Sequence, residues 1–138
     1  MADDLQRGMA AVEASAGRIE SLSASSREGQ RAALRGRVGE AVAEMGLDDA
    51  RLYQEIVRAV ERHDVSEELQ RLRSHVEMAR GLFQAREPAG KRLDFLGQEM
   101  MREANTIGSK AADAALVQEV VGLKAEIERL REQVQNVE

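Results

Sequence analysis

Apolar residues in this chain return every three or four positions and nowhere alternate, a regularity that restricts it to helices. The clearest run is Leu116, Val120, Leu123, Ile127, Leu130, Val134 and Val137, one strip along an α-helix. With Val120 as position a of a heptad, Glu119, Glu126 and Gln133 fall at g and Lys124, Arg131 and Glu138 at e, which suits an ion-paired seam. Leu5, Met9, Val12, Ala16 and Ile19 form an earlier strip, as do Val65, Leu69, Leu72, Val76, Ala79 and Phe83. The predicted fold is all-α: an elongated helical bundle with heptad-like faces and a long C-terminal helix. Strips this short usually close within one chain. The other reading is a homo-oligomer joined through the heptad faces, because long helices of this kind carry more apolar edge than one protomer covers.

Local signals divide the pattern. The serines between 21 and 26 weaken the first helix, and a second is expected from about 26 to 45 with Leu34, Val38, Ala41 and Met45 inward. Gly46 reads as its stop. Asp48 is placed to cap a third helix carrying Leu52, Ile56 and Val60. Asp64 opens a fourth, with Glu67 completing an acidic form of the capping box. Pro88 and Gly90 make the sharpest loop, Gly108 interrupts the helix that follows, and Ser109 is expected to cap the last one.

Composition removes several kinds of chemistry. A chain of 138 residues is one domain's worth of core. It has no cysteine, which excludes thiolate metal sites, disulfides and thiol catalysis. No apolar run approaches a membrane span and the acidic start is not a signal peptide, so no membrane partner and a cytoplasmic location are expected. Tyr53, Phe83 and Phe95 are the only aromatics, so a base-stacking platform for single strands, which relies on several exposed rings, is not expected. The net charge of −5 argues against binding nucleic acid over the whole surface. Residues 86–110, however, carry five cations against four anions, so this window is +1 while the rest is −6. Any polyanion contact is expected to be confined to this window.

Within that window, residues 91–110 are chemically dense. Leu93, Leu96, Met100, Ala104 and Ile107 form the apolar strip, and Asp94, Gln98, Arg102 and Asn105 a polar line beside it. Glu99 and Glu103 lie one turn apart and can converge on a hard divalent cation; Asp94 joins them only if another helix brings it round. The plainer alternative pairs both glutamates with Arg102, Lys110 or a base on a facing helix. Lys91 and Arg92 stand at a helix start, where free N–H groups favour a phosphate, and Ser109 with Lys110 is read as a second such start. Capping with solvated cations is the alternative for each. Asn105 and Thr106 either satisfy backbone or touch a ribose. His75, with Glu68 and Arg71 at helical spacing, is the candidate proton donor to a leaving oxygen, against a structural role. His63 is the candidate partner of a helix C-terminus.

The same window carries a resemblance. Gly90-Lys91, Leu93-Asp94-Phe95, Gln98-Glu99-Met100, the run from Arg102 through Glu103, Ala104, Asn105 and Thr106 to Ile107, Ser109-Lys110 and the ending from Arg131 to Glu138 resemble the C-terminal domain of the YicC-like endoribonuclease family. Arg51, Leu52, Gln54, Glu55, Asp64, Val65, Glu67, Glu68, Arg71, Leu72 and His75 fit the same pattern upstream. Met101 departs from it, standing where the family usually has Asn, and the family's large N-terminal domain has no counterpart in these residues. The resemblance implies a helical segment over 1–47 followed by the family's C-terminal domain over 48–138. It also implies endonucleolytic cleavage of single-stranded RNA with a divalent metal cation, Mg or Mn, and assembly into rings of subunits. The catalytic set would then be His75, Glu99 and Glu103, with Glu99, Glu103 and Asp94 on the metal. Lys91, Arg92, Arg102, Asn105, Ser109 and Lys110 would hold RNA phosphates, and DNA is not expected as a partner. A non-catalytic helical oligomerisation and RNA-binding module is the rival reading.

Overall fold

The computed structural model describes residues 2–46, 48–85 and 90–137, which form five helices: α1 (Ala2–Met45), α2 (Asp49–Glu61), α3 (Ser66–Gln84), α4 (Gly90–Lys110) and α5 (Ala114–Val137). The first part of α1 closes a four-helix bundle with α3, α4 and α5. α1 and α4 are diagonal, and each packs against both α3 and α5. Cross-links fix the directions. Glu20–Arg73 and Glu13–Arg80 set α1 antiparallel to α3. Arg18–Glu119, with Gly8 against Leu130, sets α1 antiparallel to α5. Asp94–Arg131, with Gly108 against Val120, does the same for α4 and α5.

The apolar strips meet along the bundle axis. Val12, Ile19, Leu72, Val76, Ile107, Leu123 and Ile127 are fully enclosed, and Leu5, Met9, Leu96, Met100 and Leu116 close the same core. Each such side chain contributes about 1.5–3 kcal/mol on burial. The e and g positions of α5 serve opposite neighbours, Glu119 pairing with Arg18 of α1 and Arg131 with Asp94 of α4. Beyond Ser23, α1 has no buried residue and leaves the bundle as an arm, with α2 as its neighbour. Ile56 and Val60 are the buried residues of α2. No helix among the described residues is long and apolar enough to cross a membrane.

Three helix ends differ from expectation. The serines at 21–26 do not divide α1, because serine lowers helix propensity by only a few tenths of a kcal/mol and Ser23 is buried where a small side chain packs. Gly108 does not interrupt α4. A Cβ there would sit 3.2 Å from Val120 Cγ1, so the glycine lets α5 approach closely. Ser109 is not the cap of the last helix: it lies inside α4 and donates to Thr106 O at 2.8 Å. Asp113 takes the capping place instead, its carboxylate accepting from Leu116 N at 2.9 Å. Asp48 caps α2 as expected, accepting from Ala50 N. Asp64 accepts from the Ser66 N–H and hydroxyl, holding the start of α3 without the Glu67 half of a capping box.

Candidate functional site

The helices α3 and α4 run antiparallel, and the edge where they meet gathers most of the chemistry. Arg71 Nε lies 3.0 Å from Glu103 Oε1. Lys110 Nζ lies 2.6 Å from Glu68 Oε1 at one end of the seam. At the other end Met78, Gly81 and Leu82 of α3 line a groove with Arg92, Phe95 and Leu96 of α4. One turn onward from Arg71 on α3 is His75, and one turn back from Glu103 on α4 is Glu99. The antiparallel register therefore sets His75 and Glu99 at opposite positions, between the ion pairs and the groove.

This seam forms because the apolar strips leave polar residues just outside them. Leu69, Leu72 and Val76 face the core, so Glu68, Arg71 and His75 take the flank of α3. Ile107, Ala104 and Met100 do the same for Glu103 and Glu99. Glu68 and Glu103 are the buried carboxylates among the described residues, at 3% and 6% exposure. Burying a carboxylate requires a cation and hydrogen bonds. Arg71 serves Glu103 first and also reaches Glu67 and Glu68 at 3.6 Å. The Glu103 carboxylate, by hydrogen bond and then by charge, raises the Arg71 guanidinium above its ordinary value. Glu68 Oε2 and His75 Nδ1 are enclosed without a hydrogen-bond partner among the described residues.

The Lys110 end is latched from several sides. Its Nζ is 3.5 Å from Asp64 O, and its own carbonyl lies 2.8 Å from His63 Nδ1. His63 follows the end of α2, yet the helix C-terminus it meets is that of α4. The Ser66 hydroxyl and N–H hold the Asp64 carboxyl below the usual aspartate range, with Arg27 and Lys110 adding to the effect.

The residues singled out from sequence separate into groups. His75, Glu99 and Glu103 share the α3–α4 seam. Asp94 does not join them: it is 3.5 Å from Arg131 Nε on α5 and accepts from Gln98 at 3.2 Å. No group of three or more histidine or carboxylate side chains able to hold a metal ion occurs among the described residues. Glu99 has one loose link, 3.7 Å to the exposed Arg102. Lys91 and Arg92 are exposed in the first turn of α4, with no carboxylate partner among the described residues, while the Pro88 loop lies outside them. Asn105 is exposed and Thr106 donates to Arg102 O. Lys110 belongs to the last turn of α4, so it marks a helix end rather than a second helix start. Sequence reasoning grouped Glu68 and Arg71 with His75 but left both out of the site. Their signal is three polar residues in succession along the flank of one apolar strip.

The family model described as Endoribonuclease YicC-like, C-terminal, matches residues 19–138. The chain is 38% identical over 121 residues to a protein of Clostridioides difficile named probable endoribonuclease YicC, covering 87% of this chain and 41% of that one. It is 42% identical over 96 residues to a protein of the same name from Haemophilus influenzae, covering 70% of this chain and 33% of the relative. It thus spans well under half the length of these curated relatives. The match takes in α1 from residue 19 on, all of α2 to α5 and the whole α3–α4 seam: the chain belongs to the YicC-like endoribonuclease family, through that family's C-terminal region.

Proposed function

We propose that this chain is the C-terminal helical part of an endoribonuclease, and that the α3–α4 seam handles the phosphodiester of single-stranded RNA. The observation carrying the proposal is the placement of His75 opposite Glu99, between the Arg71–Glu103 pair and the cations of α4's first turn. In this reading water attacks phosphorus and gives its proton to Glu99, while His75 gives a proton to the leaving oxygen. Lys91, Arg92 and Arg102, all exposed, hold flanking phosphates, with Asn105 within the same strand's reach. Sequence preference is weak, because phosphate contacts carry no base information.

A divalent cation, Mg or Mn, belongs to the proposal at Glu99 and Glu103, where it would supply Lewis-acid stabilisation of phosphate charge. The residues fit it poorly as they stand. Glu103 is already neutralised by Arg71 and Asp94 is turned to Arg131, so no step is assigned to the ion.

The second reading is an oligomerisation and RNA-binding module without activity of its own. It is favoured by the pairing of Arg71 with Glu103 and Lys110 with Glu68, which ties up two of the seam's carboxylates and two of its cations. Incubating the chain with an unstructured RNA, with added Mg or Mn and with chelator, separates the two. Cutting that disappears in His75→Gln supports the nuclease and the role of His75. Binding without cutting in every condition supports the module, and chelator-resistant cutting removes the metal.

A further inference from the structure

Resting on the RNA reading above, we propose that the groove between α3 and α4, floored by Gly81 and walled by Phe95 and Met78, receives one unstacked base of the RNA, next to the phosphate handled by His75 and Glu99. Phe95 is 59% and Met78 55% exposed, on the same groove. Gly81 is exposed in the last turn of α3, and a Cβ added there would meet nothing within 4 Å, so packing inside this chain gives no reason for the glycine. A bare backbone floor beside an exposed ring leaves space for a flat apolar ligand.

The rim identifies the ligand class. Arg92 lines the groove and Lys91 precedes it, with no carboxylate partner among the described residues. Glu77, the acid adjoining Met78 on α3, is exposed and does not line the groove, with a 3.8 Å link to Arg80. An aromatic face with unpaired cations at its edge is complementary to a nucleotide, whose base stacks while its phosphate meets the charge. The position agrees with the seam. Met78 follows His75 by three residues and Phe95 precedes Glu99 by four, so each wall of the groove stands one helical turn along its own helix from a seam residue. A base held there positions the adjoining phosphate against His75. Three aromatics do not make an extended platform, and a single-base pocket needs only one.

The test is binding of a fluorescein-labelled single-stranded RNA and of an equally long probe with abasic sites, measured by anisotropy at low salt on the full 138-residue chain. Phe95→Leu removes the ring, Gly81→Leu fills the floor, and Phe95→Tyr keeps stacking. The expected result is RNA affinity lowered ~5- to ~150-fold in Phe95→Leu and Gly81→Leu and retained in Phe95→Tyr, the worth of one stacked base. The abasic probe should bind wild type and Phe95→Leu alike. Equal urea midpoints confirm that the variants fold. RNA binding unchanged in Phe95→Leu overturns the pocket while leaving the seam intact. If that variant instead lowers the mass in light scattering, the face joins copies of the chain and the pocket is again overturned. Wild type that binds no RNA overturns the pocket and the RNA reading together.

Discussion

Lys110, in the last turn of α4, sets its ammonium nitrogen 2.6 Å from an oxygen of Glu68, whose side chain is 4% exposed at the start of α3. The carboxylate is enclosed by the bundle, with Lys110 as its nearest cation and Arg71 at 3.6 Å as the second. This contact, with Arg71–Glu103 one turn away, ties the two helices on which the candidate site is built.

Lys110→Met should therefore destabilise the chain by about 2 kcal/mol, less than the ~3–5 kcal/mol of a fully buried pair because the lysine is one-third exposed. Arg102→Ala, whose link to Glu99 is 3.7 Å long and exposed, should change stability by less than ~0.5 kcal/mol. Urea unfolding of both variants checks the contrast.

Acid should weaken the fold through Asp64 and Asp113. The Ser66 hydroxyl and N–H lower the Asp64 carboxyl, and the Leu116 N–H followed by the Ser26 hydroxyl lowers Asp113, both from an ordinary value of 3.8. A carboxyl lowered by folding contributes stability that is complete above its unfolded value and lost as pH falls through the folded one. Stability from these two groups should thus be level from pH 5 to 8, about the neutral range, and fall below about 4. In Asp64→Asn and Asp113→Asn the acid limb of a pH series of urea midpoints should be flatter.

One substitution should act with opposite sign at two places in α1. A Cβ at Gly8 would lie 2.5 Å from Leu130 Cδ2 in the core, so Gly8→Ala should cost about 1–2 kcal/mol after the helix-propensity gain is subtracted. A Cβ at Gly36 meets nothing within 4 Å, so Gly36→Ala should stabilise by roughly 0.5–1 kcal/mol. Thermal midpoints of the two variants should move in opposite directions.

If His75 is the proton donor, His75→Gln should lower RNA cleavage by ~10²–10⁴-fold with binding unchanged. Glu99→Gln should lower the turnover rate as well, since an amide cannot take the proton of the attacking water. Single-turnover cleavage together with anisotropy separates the two effects.

The bundle was legible because burial imposes a three- and four-residue period that few other features produce: Leu5 to Ile19, Leu69 to Ala79 and Leu116 to Val134 all turn inward. The continuity of α1 was not legible, since local propensity made Ser23 a weak point while packing made it a small residue at a seam. Lys110 falls at a helix end rather than a start because Asp113, four residues beyond Ser109, caps the last helix while Ser109 stays inside α4. The partners of Glu103 and Asp94 depended on which helix lies on each side of α4. That is a tertiary fact, and spacing along one helix does not contain it. Charge alone gave the groove at Phe95 no signal, for it is made of what is missing: a side chain at Gly81.

The length of α1 has a hydrodynamic consequence. Its 44 residues extend ~66 Å, more than twice the ~14 Å radius of gyration of a compact chain of this size. Small-angle scattering should accordingly give a radius above that value and a pair-distance curve with a long tail. A protein clamped on the distal third of this rod would swing the bundle as a lever swings its load.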